Sequence, residues 1–142
     1  MEVQVGTMSK FFIEKSIEIH IPVSKVWRVF TDPVLTRQMG GEYVSGWKVG
    51  SPFGWKGMDG KIATQGTILK IEPERLLQHN LLNSAGSTNS VITYEFDEKN
   101  RVTVLHTRED FTKPVTDKEY ADAAEGWDVA LLAVKETAER TK

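Results

Sequence analysis

At 142 residues, 39% of them hydrophobic and 27% charged, the chain fits one globular domain that can bury a core without disulfide or metal staples. Its 18 Lys and Arg against 20 Asp and Glu give a formal charge of -2, which argues against the basic stripe of a nucleic-acid binder and the polybasic face of a membrane binder. The absence of cysteine removes disulfide scaffolds, thiolate metal sites and cysteine nucleophiles, and no apolar run approaches the ~18 residues of a membrane span.

Residues 1–10 lack the charged and apolar regions of a secretory signal. Met8 offers a second start, so this stretch reads as a disordered leader ahead of the domain, and the cytoplasm is the default location. From Phe11 to Ile21 the chain alternates, with Ile13, Ile17, Ile19 and Ile21 on one parity and Glu14, Ser16, Glu18 and His20 on the other. That period of two predicts a strand with one buried face. Pro22 opens a helix with Val23, Val26, Trp27 and Phe30 at helical spacing. Asp32-Pro33 ends it and caps a second short helix running through Gln38.

Gly40 to Gly60 is dense in glycine and aromatics and predicts short strands joined by tight turns, with Asp59-Gly60 as a hairpin signal. Four more strands are predicted at Ile62–Ile71, Leu76–Leu82, Val91–Phe96 and Val102–Thr107. Their breaks, at roughly ten-residue intervals, suit an antiparallel meander. After Pro114 the pattern changes. Thr116 or Asp117 can cap a helix that runs to about Arg140. Tyr120, Ala124, Trp127, Leu131, Val134 and Ala138 form one stripe along it, while Lys118, Asp122, Asp128, Lys135 and Glu139 stay off it. A helix of this length crosses a whole small sheet, and its stripe must be buried against the strands. Gly126 is expected to let the helix backbone approach the sheet closely.

Several segments, taken in order, resemble one family. They are Ile21-Pro22-Val23-Ser24-Lys25-Val26-Trp27 running into Thr31-Asp32-Pro33, Gly46-Trp47 with Val49-Gly50-Ser51-Pro52-Phe53-Gly54-Trp55, the strand–turn–strand Gly66 to Leu76 through Glu72-Pro73-Glu74, and Gly126-Trp127 with Leu131 and Val134. The sequence is similar to the START-like (helix-grip, SRPBCC) superfamily, and within it to the domain related to the C-terminal part of the activator of the heat-shock protein 90 ATPase. The resemblance implies an α+β helix-grip fold: a curved antiparallel sheet of about six to seven strands, two short helices after strand one, and a long C-terminal helix over a pocket. It departs from the family where His is often found two residues before Gly-Phe, here Arg108-Glu109-Asp110-Phe111, and where an often aromatic strand carries Gln78 and Asn80. Both changes would make the pocket more polar if these residues face inward.

Candidate pocket residues follow. His106 and Arg108 share parity with Val102 and Val104, and facing the helix they would hold a carboxylate or phenolate. The alternative is that Arg108 is solvated at the strand end and paired with Glu109 or Asp110. Gln78 and Asn80 share parity with Leu76 and Leu82, yet Leu77 and Leu81 are equally apolar. Only the resemblance points the two amides inward, which would turn His79 outward. Trp47, Trp55, Tyr94 and Trp127 are either ligand-stacking walls or plain core. Lys15, on the apolar parity of the first strand, either reaches the rim or adds a second cation to the site.

No nucleophile elbow, phosphate loop or metal spacing is present; His20, His79 and His106 are scattered. No cofactor is implied. Three functions stay open: a non-enzymatic binder of a small apolar or amphipathic molecule, a cyclase, aromatase or dehydratase using His106 or Tyr94, and a regulator of heat-shock protein 90 acting by surface contacts. The reading leans away from an enzyme, and a homodimer is compatible with all three.

Overall fold

The computed structural model describes residues 11–141; the expected leader at 1–10 lies outside the described residues. In chain order the elements are β1 (Phe12–Ile19), α1 (Val23–Thr31), α2 (Pro33–Thr36), a 3-10 turn (Arg37–Met39), β2 (Gly41–Ser45) and β3 (Pro52–Gly57). Then come β4 (Ile62–Glu72), β5 (Leu76–Leu82), β6 (Thr88–Lys99), β7 (Val102–Phe111) and α3 (Asp117–Glu139). The strands form a single antiparallel sheet in the order β1-β7-β6-β5-β4-β3-β2. The expected helix-grip architecture is therefore present, with seven strands.

Local chemistry sets the boundaries. Asp32 accepts from the Val34 amide and Pro33 occupies the first turn of α2, so the chain bends sharply between α1 and α2. Thr116, the predicted cap, accepts from Glu119 N while Glu119 accepts from Thr116 N, a reciprocal capping box that starts α3. At Gly66 a Cβ would lie 1.9 Å from the Asn80 carbonyl oxygen, so only glycine admits this approach of β4 to β5. Register shifts in the β3–β4, β4–β5 and β5–β6 pairs bend the sheet around α3.

The core lies between the sheet, α1 and the C-terminal half of α3. Ile19, Ile21, Val26, Val29, Phe30, Leu77, Leu105, Leu131, Val134 and Ala138 are all buried in it. The first half of α3 behaves differently. Tyr120, Ala124 and Trp127 are half-buried and Ala130 is exposed, whereas Leu131, Val134, Thr137 and Ala138 are buried. The helix is pinned against β1 and α1 and stands off the middle strands. Gly126 does not approach the sheet as expected: a Cβ there would meet no atom within 4 Å.

Candidate functional site

Antiparallel pairing places directly opposed residues on the same face. Ile68, His79, Ile92, Glu109 and Ile13 thus form one row across β4, β5, β6, β7 and β1. Leu77, Tyr94, Thr107 and Lys15 form the next. Both rows face α3, because Ile13, Leu77 and Ile92 are buried with them. Where the helix stands off, two adjoining hollows remain. The inner one holds about 260 Å³ between Phe30, Met39, Tyr43, Trp55, Tyr94 and α3. The outer, more open groove holds about 440 Å³ and reaches Phe53, Thr64, His79, Glu109 and Gly126. Tyr43, Trp55, Tyr94, Trp127 and Ala130 belong to both.

Glu109 is the polar anchor of this space. Its Oε1 accepts from Trp127 Nε1 at 2.8 Å and its Oε2 from Ser90 Oγ at 2.7 Å, which ties α3 to the sheet floor. Ser90 is fully buried, so the carboxylate also satisfies a hydroxyl that water does not reach. Tyr94 packs edge-on to Phe30 and Trp127. Burial pushes the Tyr94 phenol well above its ordinary range, with Tyr43 and Glu109 adding to the shift. Tyr43 is raised to about 12 by the same desolvation. Both hydroxyls stay protonated at neutral pH.

His79 was expected on the outer face, but it is 2% exposed and faces the groove. Its ring stacks on Phe53 at 4.0 Å and lies 5.8 Å from the Tyr94 ring. Nδ1 sits 2.9 Å from its neighbour's carbonyl oxygen, Asn80 O. Nε2 is the one buried side-chain nitrogen or oxygen among the described residues that has no hydrogen-bond partner. Burial pushes the imidazole down to about 4.

Four of the eight candidate residues point elsewhere. Gln78 and Asn80 lie on the far face of β5, where Gln78 Nε2 donates to Thr93 Oγ1 and Asn80 Oδ1 accepts from Thr67 N. Their amides find partners there. His106 and Arg108 lie on the outer face of β7. His106 Nδ1 is paired with Ser16 Oγ, and Arg108 binds both oxygens of Asp110 while its guanidinium lies 3.9 Å over the Phe12 ring. The pairing with Asp110 was the alternative reading of Arg108. On β7 the parity facing α3 is Thr103, Leu105, Thr107 and Glu109 instead, the first three buried and Glu109 half-buried. Thr103 Oγ1 donates to Ile21 O at 2.8 Å, so a buried threonine packs its methyl group and satisfies its hydroxyl.

Trp55, Tyr94 and Trp127 line both hollows. Trp47 packs on Tyr43 and Phe53 at the margin of this aromatic cluster and touches neither hollow. Lys15 reaches the rim and pairs with Asp128 of α3 at 3.0 Å. No cluster of metal-ligating side chains exists among the described residues. Nor is any helix among them long and apolar enough to cross a membrane.

Residues 20–139 match the family described as activator of Hsp90 ATPase homolog 1-like protein. The chain belongs to this family. Solved structures agree on the fold. Protein MLL2253 from Mesorhizobium loti is 21% identical with a TM-score of 0.77, over 92% of this chain and 98% of that one. DynU16, described as a putative protein in the dynemicin biosynthetic locus, is 18% identical with a TM-score of 0.79, over 93% of this chain but 48% of its own. The Aha1 dimer from Colwellia psychrerythraea is 18% identical with a TM-score of 0.73, over 90% and 96%. No curated protein matches the sequence significantly.

Proposed function

We propose that the chain works as one START-like domain that binds a small, partly apolar molecule between α3 and the sheet without transforming it. The observation that supports this most is the pair of adjoining aromatic-walled hollows beneath the middle of α3, which share Tyr43, Trp55, Tyr94, Trp127 and Ala130. The inner hollow alone is below the ~300 Å³ of an ordinary ligand site, so the ligand occupies both hollows. The enzyme reading loses its proposed acid–base residues: His106 is on the opposite face of the sheet, and Tyr94 is shifted away from the neutral range that proton transfer favours. The family's name refers to the Hsp90 ATPase, and a role on that chaperone by surface contacts is the alternative reading.

The test is titration with N-phenyl-1-naphthylamine, followed by probe fluorescence, on wild type and Ala130→Phe. Ala130 lies on the wall shared by both hollows and is exposed, so the larger ring blocks the space without disturbing the core. Saturable binding by wild type, weakened at least about tenfold in the variant at an unchanged unfolding midpoint, is the expected result. Absence of binding to wild type, or equal binding to both proteins, would refute the proposal.

A further inference from the structure

Buried polar atoms in folded proteins almost always have partners, and an unpaired acceptor costs about 1–3 kcal/mol. His79 Nε2 is such an atom, and it belongs to a ring that forms part of the groove wall. The imidazole is fixed on both counts that matter. Stacking on Phe53 holds its plane, and the contact of Nδ1 with Asn80 O requires the proton to sit on Nδ1. Nε2 is therefore a lone pair that can only accept.

The surroundings define what can meet it. The walls are flat rings, Phe53, Trp55, Tyr94 and Trp127, which favour a planar ligand. No Lys or Arg lines either hollow, and the charged group that does is the Glu109 carboxylate, which disfavours an anion. Nε2 is closed to solvent in the ligand-free groove, so a donor reaches it only by displacing the side chains that cover it, and the hydrogen bond then formed is shielded from competition by water.

Building on the binding role proposed above, we infer that His79 is the specificity-determining residue of the site. Its Nε2 accepts a hydrogen bond from the O–H or N–H group of an uncharged aromatic ligand such as an arenol. The hydrogen bond tells such a ligand from an isostere without the donor, because only the donor relieves the unpaired nitrogen.

Matched probes test this: 2-naphthol, 2-methoxynaphthalene and 2-naphthoate, titrated by tryptophan fluorescence into wild type and His79→Phe. The phenylalanine keeps a ring against Phe53. Wild type is expected to prefer 2-naphthol over its methyl ether by roughly tenfold, and His79→Phe to bind the two about equally. In 15N-detected histidine spectra of wild type, 2-naphthol should move the Nε2 resonance and leave Nδ1 as the protonated nitrogen. That measurement decides the matter even if His79→Phe does not fold. Equal affinity of wild type for the naphthol and its ether, a preference that survives in His79→Phe, or an unmoved Nε2 resonance would overturn the inference while leaving the pocket in place. Tightest binding of 2-naphthoate would overturn it too. Binding of none of the three would remove the pocket reading and this inference together.

Discussion

The burial of His79 makes the stability of the fold depend on pH in a calculable way. An unfolded histidine titrates near 6.5, whereas burial pushes this one down to about 4. Above about pH 6.5 both states hold a neutral ring, and the group contributes no pH dependence. As pH falls below 6.5 the unfolded chain takes up a proton that the folded protein refuses, so stability declines until about pH 4 and then levels off. Integrating between those values gives a loss of about 2 kcal/mol between pH 7 and pH 5, and about 3 kcal/mol in full. The neighbours that could offset this are few. Tyr94 is neutral, and Glu109, in the same cross-strand row beyond Ile92, is tied to Ser90 and Trp127. Urea unfolding of wild type and His79→Phe at pH 7, 6 and 5 isolates the term, because carboxylates and the exposed His20 and His106 are common to both. The difference in stability between the two proteins should shift by about 2 kcal/mol across that range, with wild type losing more. Parallel pH profiles would mean that His79 titrates normally in the folded state, and the account of a dry, neutral imidazole would be wrong.

Two further substitutions probe the helix and its tether. Gly126→Ala should stabilise the protein by up to about 1 kcal/mol in thermal or urea unfolding, since it adds helix propensity where a Cβ meets open space; a loss would mean that the helix sits closer to the sheet than described. Glu109→Leu should cost roughly 2–3 kcal/mol by leaving the buried Ser90 hydroxyl and the Trp127 indole unpaired, while Glu109→Gln, able to pair with both, should cost less than about 1 kcal/mol; equal stability of the two variants would refute the anchoring role.

The elements were legible in the sequence wherever periodicity and punctuation agreed. The alternation of β1, the Asp32-Pro33 bend and the stripe on α3 lie where the residues place them, and Glu119 three positions after Thr116 was a readable sign of which residue caps the helix. The faces of β5 and β7 were not legible, for opposite reasons. In β5, leucines occupy both parities, so only the register against Ile92 and Tyr94 decides that His79 goes inside. In β7 the valines suggest a core face, but Val102 and Val104 are half-buried on the outer side, and Thr103, Leu105 and Thr107 are the buried residues. Nothing in the sequence marks Glu109 as inward-facing, since beside Arg108 it reads as one of two surface partners for that cation. Its actual partners, Ser90 and Trp127, come from elements 19 and 18 residues away and are set by tertiary structure.

The order of strands in the sheet also dictates the order in which the protein can be completed. β1 has one strand neighbour, β7, and Ser16 meets His106, 90 positions further along the chain. The strands from β2 through β7 are sequential neighbours and can zip as local hairpins, each closing a short loop. β1 has to wait with its apolar parity uncovered until the last strand exists, and α3, which packs on β1, has to wait with it. On the ribosome the earliest strand is thus among the last to be paired. A nascent chain would carry β1 as an unpaired, aggregation-prone strand until β7 has been made.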